Sequence, residues 1–382
     1  MSLSEAAVRM TVAEAGPAEW DACNASGHPF TSADFLGALE DSGSVGGRTG
    51  WTPCHLALLD AAGATAAVMP LYVKSHSQGE YVFDHAWAEA YIRAGGRYYP
   101  KLQAAVPFTP VTGPRFLVRP DIDEALAKQA LASASRAFCD QIGASSVHVT
   151  FPLESEQALL AEDGWLPRQD LQYWWSNAGY GTFDDFLGDL SASRRKTIRR
   201  ERRLAQTDVE ILHVTGSDLC EEHWDAFWAF YQDTGARKWG RPYLTRAFFS
   251  LLGERMADRV LLILARREGR YIAGALNLIG PDALYGRWWG CVEDVPFLHF
   301  ELCYYQAIEH AIRLKLPRVE AGAQGEHKIA RGYLPAPVYS AHWIADPRLR
   351  APVAAYLDQE RPAMAAEREA LGEAYSPFRT TC

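Results

Sequence analysis

Apolar residues in the first half of this chain fall into short runs divided by polar turns, and their spacing predicts alternating helices and strands. A strand is expected near Met10 to Ala13, a helix from Pro17 to Ala25, and a second helix from Pro29-Phe30 through Leu39. His55 to Asp60 and Ala66 to Val73 flank Ala61-Ala62-Gly63 and predict a hairpin, extended by a third strand over Gln78 to Asp84. Ile122 to Gly143 has the period of a long amphipathic helix, followed by strands at Ser146 to Phe151 and Asp170 to Ser176. The second half repeats that order. Helical periodicity covers Phe183 to Gln206, a strand follows over Val209 to Val214, and helices are expected at His223 to Tyr231 and from Arg241-Pro242-Tyr243 through Met256. Val260 to Arg266, Ile272 to Ile279 and Ala283 to Gly290 read as a second meander that turns at Glu268-Gly269. Leu298, Leu302, Tyr305, Ile308 and Ile312 then mark the buried face of a helix over Leu298 to Leu314.

The two halves can be laid over each other. Pro29-Phe30 and Phe35 correspond to Pro242-Tyr243 and Phe248, and the turn at Gly63 to that at Gly269, roughly 210 residues later in each case. Two similar domains are therefore expected, over residues 1–176 and 177–382, joined by Ser176-Asn-Ala-Gly-Tyr-Gly181.

Composition narrows the function. With 382 residues, 48% of them hydrophobic, the chain can bury large cores. A net charge of −9 argues against coating nucleic acid through a global positive field, so any such contact must be local. Seven cysteines, scattered and without a CxxC pair, indicate free thiols, neither a disulfide framework nor a zinc site. The start of the chain shows no basic segment leading into an apolar run, and Val260 to Ala265 is far too short to span a membrane, so a cytoplasmic protein is expected.

The candidate chemistry concentrates in Glu320-Ala-Gly-Ala-Gln-Gly-Glu-His-Lys-Ile-Ala-Arg-Gly332. Glycines allow backbone to approach a ligand closely, while Glu320, Glu326, His327, Lys328 and Arg331 supply both signs of charge and a group titrating near neutrality. The plain alternative is a solvated turn whose charges pair among themselves. Glu320, Glu326, His327 and His299 are the candidate catalytic groups, with Glu301, Gln324, Lys328 and Arg331 as binding groups. In Arg194-Arg-Lys-Thr-Ile-Arg-Arg-Glu-Arg-Arg203, seven cations and one acid share a helical segment, and Arg195, Arg199 and Arg202 on one face would suit phosphate groups. A solvated helix paired with acids elsewhere is the alternative. In the first half, Asp84, His85, Tyr99 and Lys101 are expected to line a cleft between the domains, unless the aromatics around them simply fill core.

The order of helices, antiparallel meander, helix and closing strand resembles the GNAT acyltransferase fold, an α/β (α+β) architecture of mixed, mostly antiparallel sheets flanked by helices. Phe83-Asp-His-Ala-Trp87, Tyr98-Tyr-Pro-Lys101, Pro107-Phe-Thr-Pro-Val-Thr-Gly113, Arg287-Trp-Trp-Gly290, His299-Phe-Glu-Leu-Cys-Tyr-Tyr305 and Gly322-Ala-Gln-Gly-Glu-His-Lys328 resemble the FemAB-like family of bacterial N-acyltransferases. That resemblance implies two tandem GNAT-like domains and transfer of an acyl or aminoacyl group to an amine of a polar, phosphorylated or peptide-like acceptor. It brings Arg287 and Trp289 into the binding set and places the active-site segment within 287–332. The implied donor is acyl-CoA or aminoacyl-tRNA, with no tightly bound cofactor and no metal. The Arg/Gln-x-x-Gly-x-Gly/Ala loop of CoA-dependent enzymes is not matched: its place reads Glu293-Asp-Val-Pro-Phe-Leu-His299, acidic where a pyrophosphate would sit. A CoA-dependent acetyltransferase of a small amine, and a non-catalytic binding protein on the same fold, are the competing readings.

Overall fold

The computed structural model describes residues 3–238, 242–322 and 325–379. Two compact units emerge, Met1–Asp170 with Pro337–Ala366, and Leu171–Ala336 with Glu367–Cys382. In the first, the strands are β1 (Leu3–Arg9), β2 (Trp51–Pro53), β3 (His55–Asp60), β4 (Thr65–Met69), β5 (Tyr72–Lys74), β6 (Lys101–Ala104), β7 (Leu117–Val118) and β8 (Ser146–Thr150). β1 pairs antiparallel with β3, β3 with β4, β2 with β5 and β5 with β6, after which β6 runs parallel to β8. β2 leads into β3 and β4 into β5 with only a kink between, and the Cys54 amide donates to the Leu71 carbonyl at 2.9 Å to bridge it. The kink falls at Pro70, where a strand loses a donor.

The second unit repeats this plan without the kink. β9 (Leu166–Ser176) enters it, and β10 (Glu210–Val214), β11 (Val260–Arg267), β12 (Arg270–Ile279), β13 (Ala283–Cys291) and β14 (Arg318–Glu320) follow. β10 through β13 form an antiparallel meander, β13 runs parallel to β14, and β14 pairs antiparallel with β9. β15 (Leu334–Ile344) closes the first unit by pairing antiparallel with β8. Each repeat thus gives away the strand that follows it: β9 pairs with β14 of the second unit, and β15 with β8 of the first. This exchange corrects the expected linear division at 176/177, because the hydrogen-bond ladder, not sequence order, decides where a strand belongs.

Other expectations also change. The segment expected as a strand at Met10 to Ala13 holds the short helix Val12–Ala15, capped by Thr11, and the strand lies earlier as β1. The helix expected over Phe183 to Gln206 is two, Phe183–Asp189 and Ala192–Ala205, because Ser191 leaves helical geometry and caps the second by accepting from the Arg194 amide. Past Tyr231 the helix Glu221–Lys238 runs on, and the next helix begins only at Arg246, behind the Thr245 cap; Arg241 lies outside the described residues. Leu298 to Arg313 is helical with Leu298, Leu302, Tyr305, Ile308 and Ile312 buried as expected, but Glu301–Tyr305 winds as a π-helical segment. Among the described residues no helix is long and apolar enough to cross a membrane.

Gln78 to Asp84, expected as a strand, is instead an irregular segment that supplies carboxylates to a buried charge cluster. Lys101 Nζ donates to Glu80 at 2.7 Å, to Ser77 at 2.9 Å and to Asp84, and Tyr98 donates to Asp84 at 2.7 Å. Lys74 sits 3.6 Å from the centre of the Trp51 ring and 3.5 Å from Glu80. Burial pushes Glu80 up to about 7, whereas Lys101 and His148 overcome burial and hold Asp84 well below the usual carboxylate range. Removing one partner of such a cluster strands the others without solvent. Lys101→Met should cost about 3–5 kcal/mol in urea unfolding, and adding Glu80→Gln should recover part of that loss.

Candidate active site

β13 and β14 pair only from Ala283↔Arg318 to Tyr285↔Glu320, yet β13 continues to Cys291 along β12. Past Tyr285 the two parallel strands therefore part. At the same point the β12 ladder slips, pairing Leu276 with Trp288 and Asn277 with Gly286, so Arg287 is an extra residue in a bulge. Its guanidinium turns inward and donates to Glu320 Oε2 at 3.0 Å, to the Glu320 carbonyl at 3.1 Å and to the Gly286 carbonyl at 2.9 Å. Arg318 Nε donates to the other Glu320 oxygen at 3.1 Å. Gly286 leaves room at this crowded point, because a Cβ there would stand 3.1 Å from Asn277 Oδ1.

The opening between the strands is a cavity of about 120 Å³ whose wall is the first turns of the 298–313 helix. His299, Cys303 and Tyr304 face it, with Trp289, Asn277 and Ala321 on the strand side. The His299 ring stands edge-on to Trp289 at 5.1 Å and lies 5.4 Å from Tyr304. Tyr304 OH and His327 Nε2 share a hydrogen bond of 3.0 Å.

Lys328, only 3% exposed, reaches back from the turn Glu326–Arg331 to donate to the carbonyls of Ala321 at 2.7 Å and Gly322 at 3.0 Å. Burial, assisted by the positive charge of Arg287, pushes it down to about 7. A neutral amine there still satisfies both carbonyls with its two N–H groups and keeps a lone pair. Arg331 fixes the turn: it donates to the His327 carbonyl at 2.8 Å and to Glu201 at 2.8 Å, and lies 3.4 Å from the centre of the Phe300 ring. Tyr305 OH donates to the other Glu201 oxygen. Glu201, the lone acid in the basic run, thus ties the Ala192–Ala205 helix to the turn that carries His327 and Lys328.

The second unit brings together Arg287, Trp289, His299, Glu320, His327, Lys328 and Arg331 of the expected set, but not all in the expected roles. Glu320 is fully buried between two guanidinium groups, which leaves it a positioning group and no base, even though burial raises its pKa. Glu301 is also fully buried, spent on Arg202, Gln206 and Gln306. Arg195 does not face outward for phosphate: it donates to the carbonyls of Leu187, Gly188 and Leu190 and caps the preceding helix. Arg199 is exposed and paired with the exposed Asp184 at 3.1 Å. Asp84 and Lys101 belong to the buried cluster of the first unit, their charges turned on each other, while His85 is exposed and Tyr99 half-buried beside Ser77 at 2.9 Å. Gln324 and the side chain of Glu326 lie outside the described residues. The sequence reading missed Cys303, Tyr304 and Glu201; the first two stood in the motif carrying the resemblance, and Glu201 was visible as the odd acid among cations.

A profile of the FemAB-like family, described as peptidoglycan biosynthesis/recognition, matches residues 11–380. No curated protein sequence matches the chain. FemX is similar in structure, with TM-score 0.55 and 11% identity over 92% of this chain and 100% of that one. The C-terminal domain of a candidate lysylphosphatidylglycerol synthetase from Agrobacterium fabrum gives TM-score 0.53 and 10% identity over 93% and 98%. A tandem GNAT protein from the clavulanic acid pathway gives TM-score 0.46 and 12% identity over 91% and 99%. At these identities the first two likenesses, with TM-scores above 0.5, speak for the fold alone.

Lys328 also leaves a mark on stability. In the unfolded chain it titrates near its ordinary 10.5, and in the folded chain near 7, so between those values the unfolded state holds a proton that the folded state lacks. Folding stability should therefore rise with pH across that window, by on the order of 1 kcal/mol per pH unit, and fall to its lowest contribution below 7. Lys74 in the first unit, pushed to about 7 by its own burial, adds a slope of the same sign. The measurement is accordingly a difference: urea unfolding of Lys328→Met should show a shallower rise from pH 7 to 10 than the parent, and equal slopes would contradict the buried neutral amine.

Proposed function

Since the chain belongs to the FemAB-like family and is an acyltransferase of GNAT-like fold, we propose that it transfers an aminoacyl or acyl group to the amine of a polar, peptide-like acceptor in the fork between β13 and β14. The observation that carries this reading is that one small cavity is lined by an imidazole, His299, while a lysine amine pushed down to about 7, Lys328, stands behind its strand side and bonds the carbonyl of Ala321, which lines it. Attack by an amine on an ester or thioester carbonyl forms a C–N bond and a tetrahedral centre, and the attacking nitrogen must then shed a proton. His299 takes that proton. As the C–O or C–S bond breaks, the leaving oxygen or sulfur receives one from Lys328, whose pKa suits donation near pH 7. His327, bonded to Tyr304, orders the rim of the cavity, and the Arg287–Glu320 pair keeps the strands apart.

Aminoacyl-tRNA is the donor this reading favours. Glu293 sits in the loop before the 298–313 helix, paired with Arg267 at 3.4 Å and Arg270 at 3.6 Å, and this loop, Glu293-Asp-Val-Pro-Phe-Leu-His299, has none of the glycines that would bring backbone amides to a CoA pyrophosphate. On the Ala192–Ala205 helix, Arg194, Lys196 and Arg203 are exposed and have no ion-pair partner among the described residues, which suits a phosphate backbone. The family description supports an acceptor of the peptidoglycan-precursor kind.

Purified protein should transfer labelled amino acid from bulk aminoacyl-tRNA to an amine-bearing peptidoglycan peptide and leave acetyl-CoA untouched. Transfer from acetyl-CoA alone would make the CoA reading correct, and transfer from neither donor would favour a non-catalytic binding protein. His299→Ala should lower kcat by about 10²–10⁴ with an unchanged melting temperature.

A further inference from the structure

The C-terminal half of the 298–313 helix lines a second pocket of the same unit, about 660 Å³ in volume, that the acyl-transfer chemistry does not use. Its hydrogen-bond roles are fixed from below. Glu301, fully buried, accepts from Gln306 Nε2 at 2.6 Å, from Gln206 Nε2 at 2.8 Å and from Arg202 at 3.0 Å. A carboxylate only accepts, so both amides must turn their nitrogens to it and their oxygens away. Gln306 Oε1 then faces His213 Nε2 at 2.8 Å, which makes that nitrogen the N–H and leaves Nδ1 with its lone pair. Arg313 can only donate, so its 2.7 Å bond to His310 Nδ1 leaves the proton of His310 on Nε2. Burial, first among several causes, keeps both imidazoles neutral at pH 7, with His310 pushed down to about 4. The rings stand 5.6 Å apart and nearly perpendicular.

The pocket therefore offers one N–H from His310, lone pairs from His213 Nδ1 and Gln206 Oε1, and the Arg313 cation. Charge counts against a dianion. Arg202 is spent on Glu301 and on Glu309, the latter 2.7 Å away, and Glu309 itself lines the pocket, whereas Arg313 is exposed with no ion-pair partner among the described residues. Phe183, Val209, Ile211 and Ile312 supply an apolar side. A planar amide matches the donor and acceptor, a single carboxylate matches Arg313, and an apolar side chain matches the floor.

We propose that this pocket binds the end of a short peptide or an N-acylated amino acid, its terminal carboxylate on Arg313 and its last amide between His310 and His213. The site stands apart from the acyl-transfer reading, since binding alone is measured. In calorimetric titration with the full chain, N-acetyl-alanyl-alanine should bind saturably at one site. Its C-terminal amide should bind at least tenfold more weakly, and Arg313→Gln, with an unchanged melting temperature, should weaken the acid by a similar factor. Equal binding of acid and amide, no saturation, or an acid affinity that ignores Arg313→Gln would each overturn the proposal. So would tighter binding of UMP that is lost in Arg313→Gln, which would assign the pocket to a phosphate ester.

Discussion

The Arg287–Glu320 contact is the interaction on which the second unit turns. A guanidinium that bonds both the side chain and the backbone carbonyl of Glu320, together with its own neighbour's carbonyl, ends the parallel ladder at a defined residue. Without the bulge that frees Arg287, β13 would pair on, and the 120 Å³ cavity would close. Arg318 completes the arrangement by occupying the other carboxylate oxygen, so that Glu320 is held from both sides. A charge placed this deep is tolerable only because every strong donor around it converges.

The helix beyond β13 serves two faces. Its first turns present His299, Cys303 and Tyr304 to the fork, and its later turns present Gln306, His310 and Arg313 to the larger pocket. Between them lies the π-helical segment Glu301–Tyr305, which widens the turn and leaves Glu301 inside as the acceptor that orients three surrounding side chains. Its neighbour Tyr305 meets Glu201 from the basic helix, and Glu201 in turn meets Arg331. The basic helix, the Glu326–Arg331 turn and both pockets are thus linked by side chains that are themselves held.

Much of the architecture was legible in the apolar pattern, because β11 and β12 are continuous apolar runs buried on both faces, and the 298–313 helix buries Leu298, Leu302, Tyr305, Ile308 and Ile312 at helical spacing. The turn at Gly63 and that at Gly269 mark equivalent hairpins, β3–β4 and β11–β12, so the repeat was also readable. What stayed hidden depended on partners far away in sequence. Nothing in Gln78 to Asp84 says that Lys101 will draw its carboxylates inside, and nothing local in Arg195 says that its guanidinium will cap a helix end. Of the candidate site, the segment around His327 and Lys328 was conspicuous through its charges and glycines. The role of Glu320 was misread, since its two arginine partners come from opposite ends of the β13–β14 segment and only folding joins them.

The exchange of β9 and β15 bears on how the protein is made. As the chain leaves the ribosome, the first repeat is complete through β8 by residue 150, but the strand that belongs beside β8 is not synthesised until residues 337–344. In the interval the edge of β8 offers unpaired amides and carbonyls, and the strand next available in sequence is β9, whose own place is beside β14. Correct assembly therefore requires that β9 remain uncommitted until β14 exists, a kinetic demand that falls on the nascent chain and leaves no trace in the finished sheet.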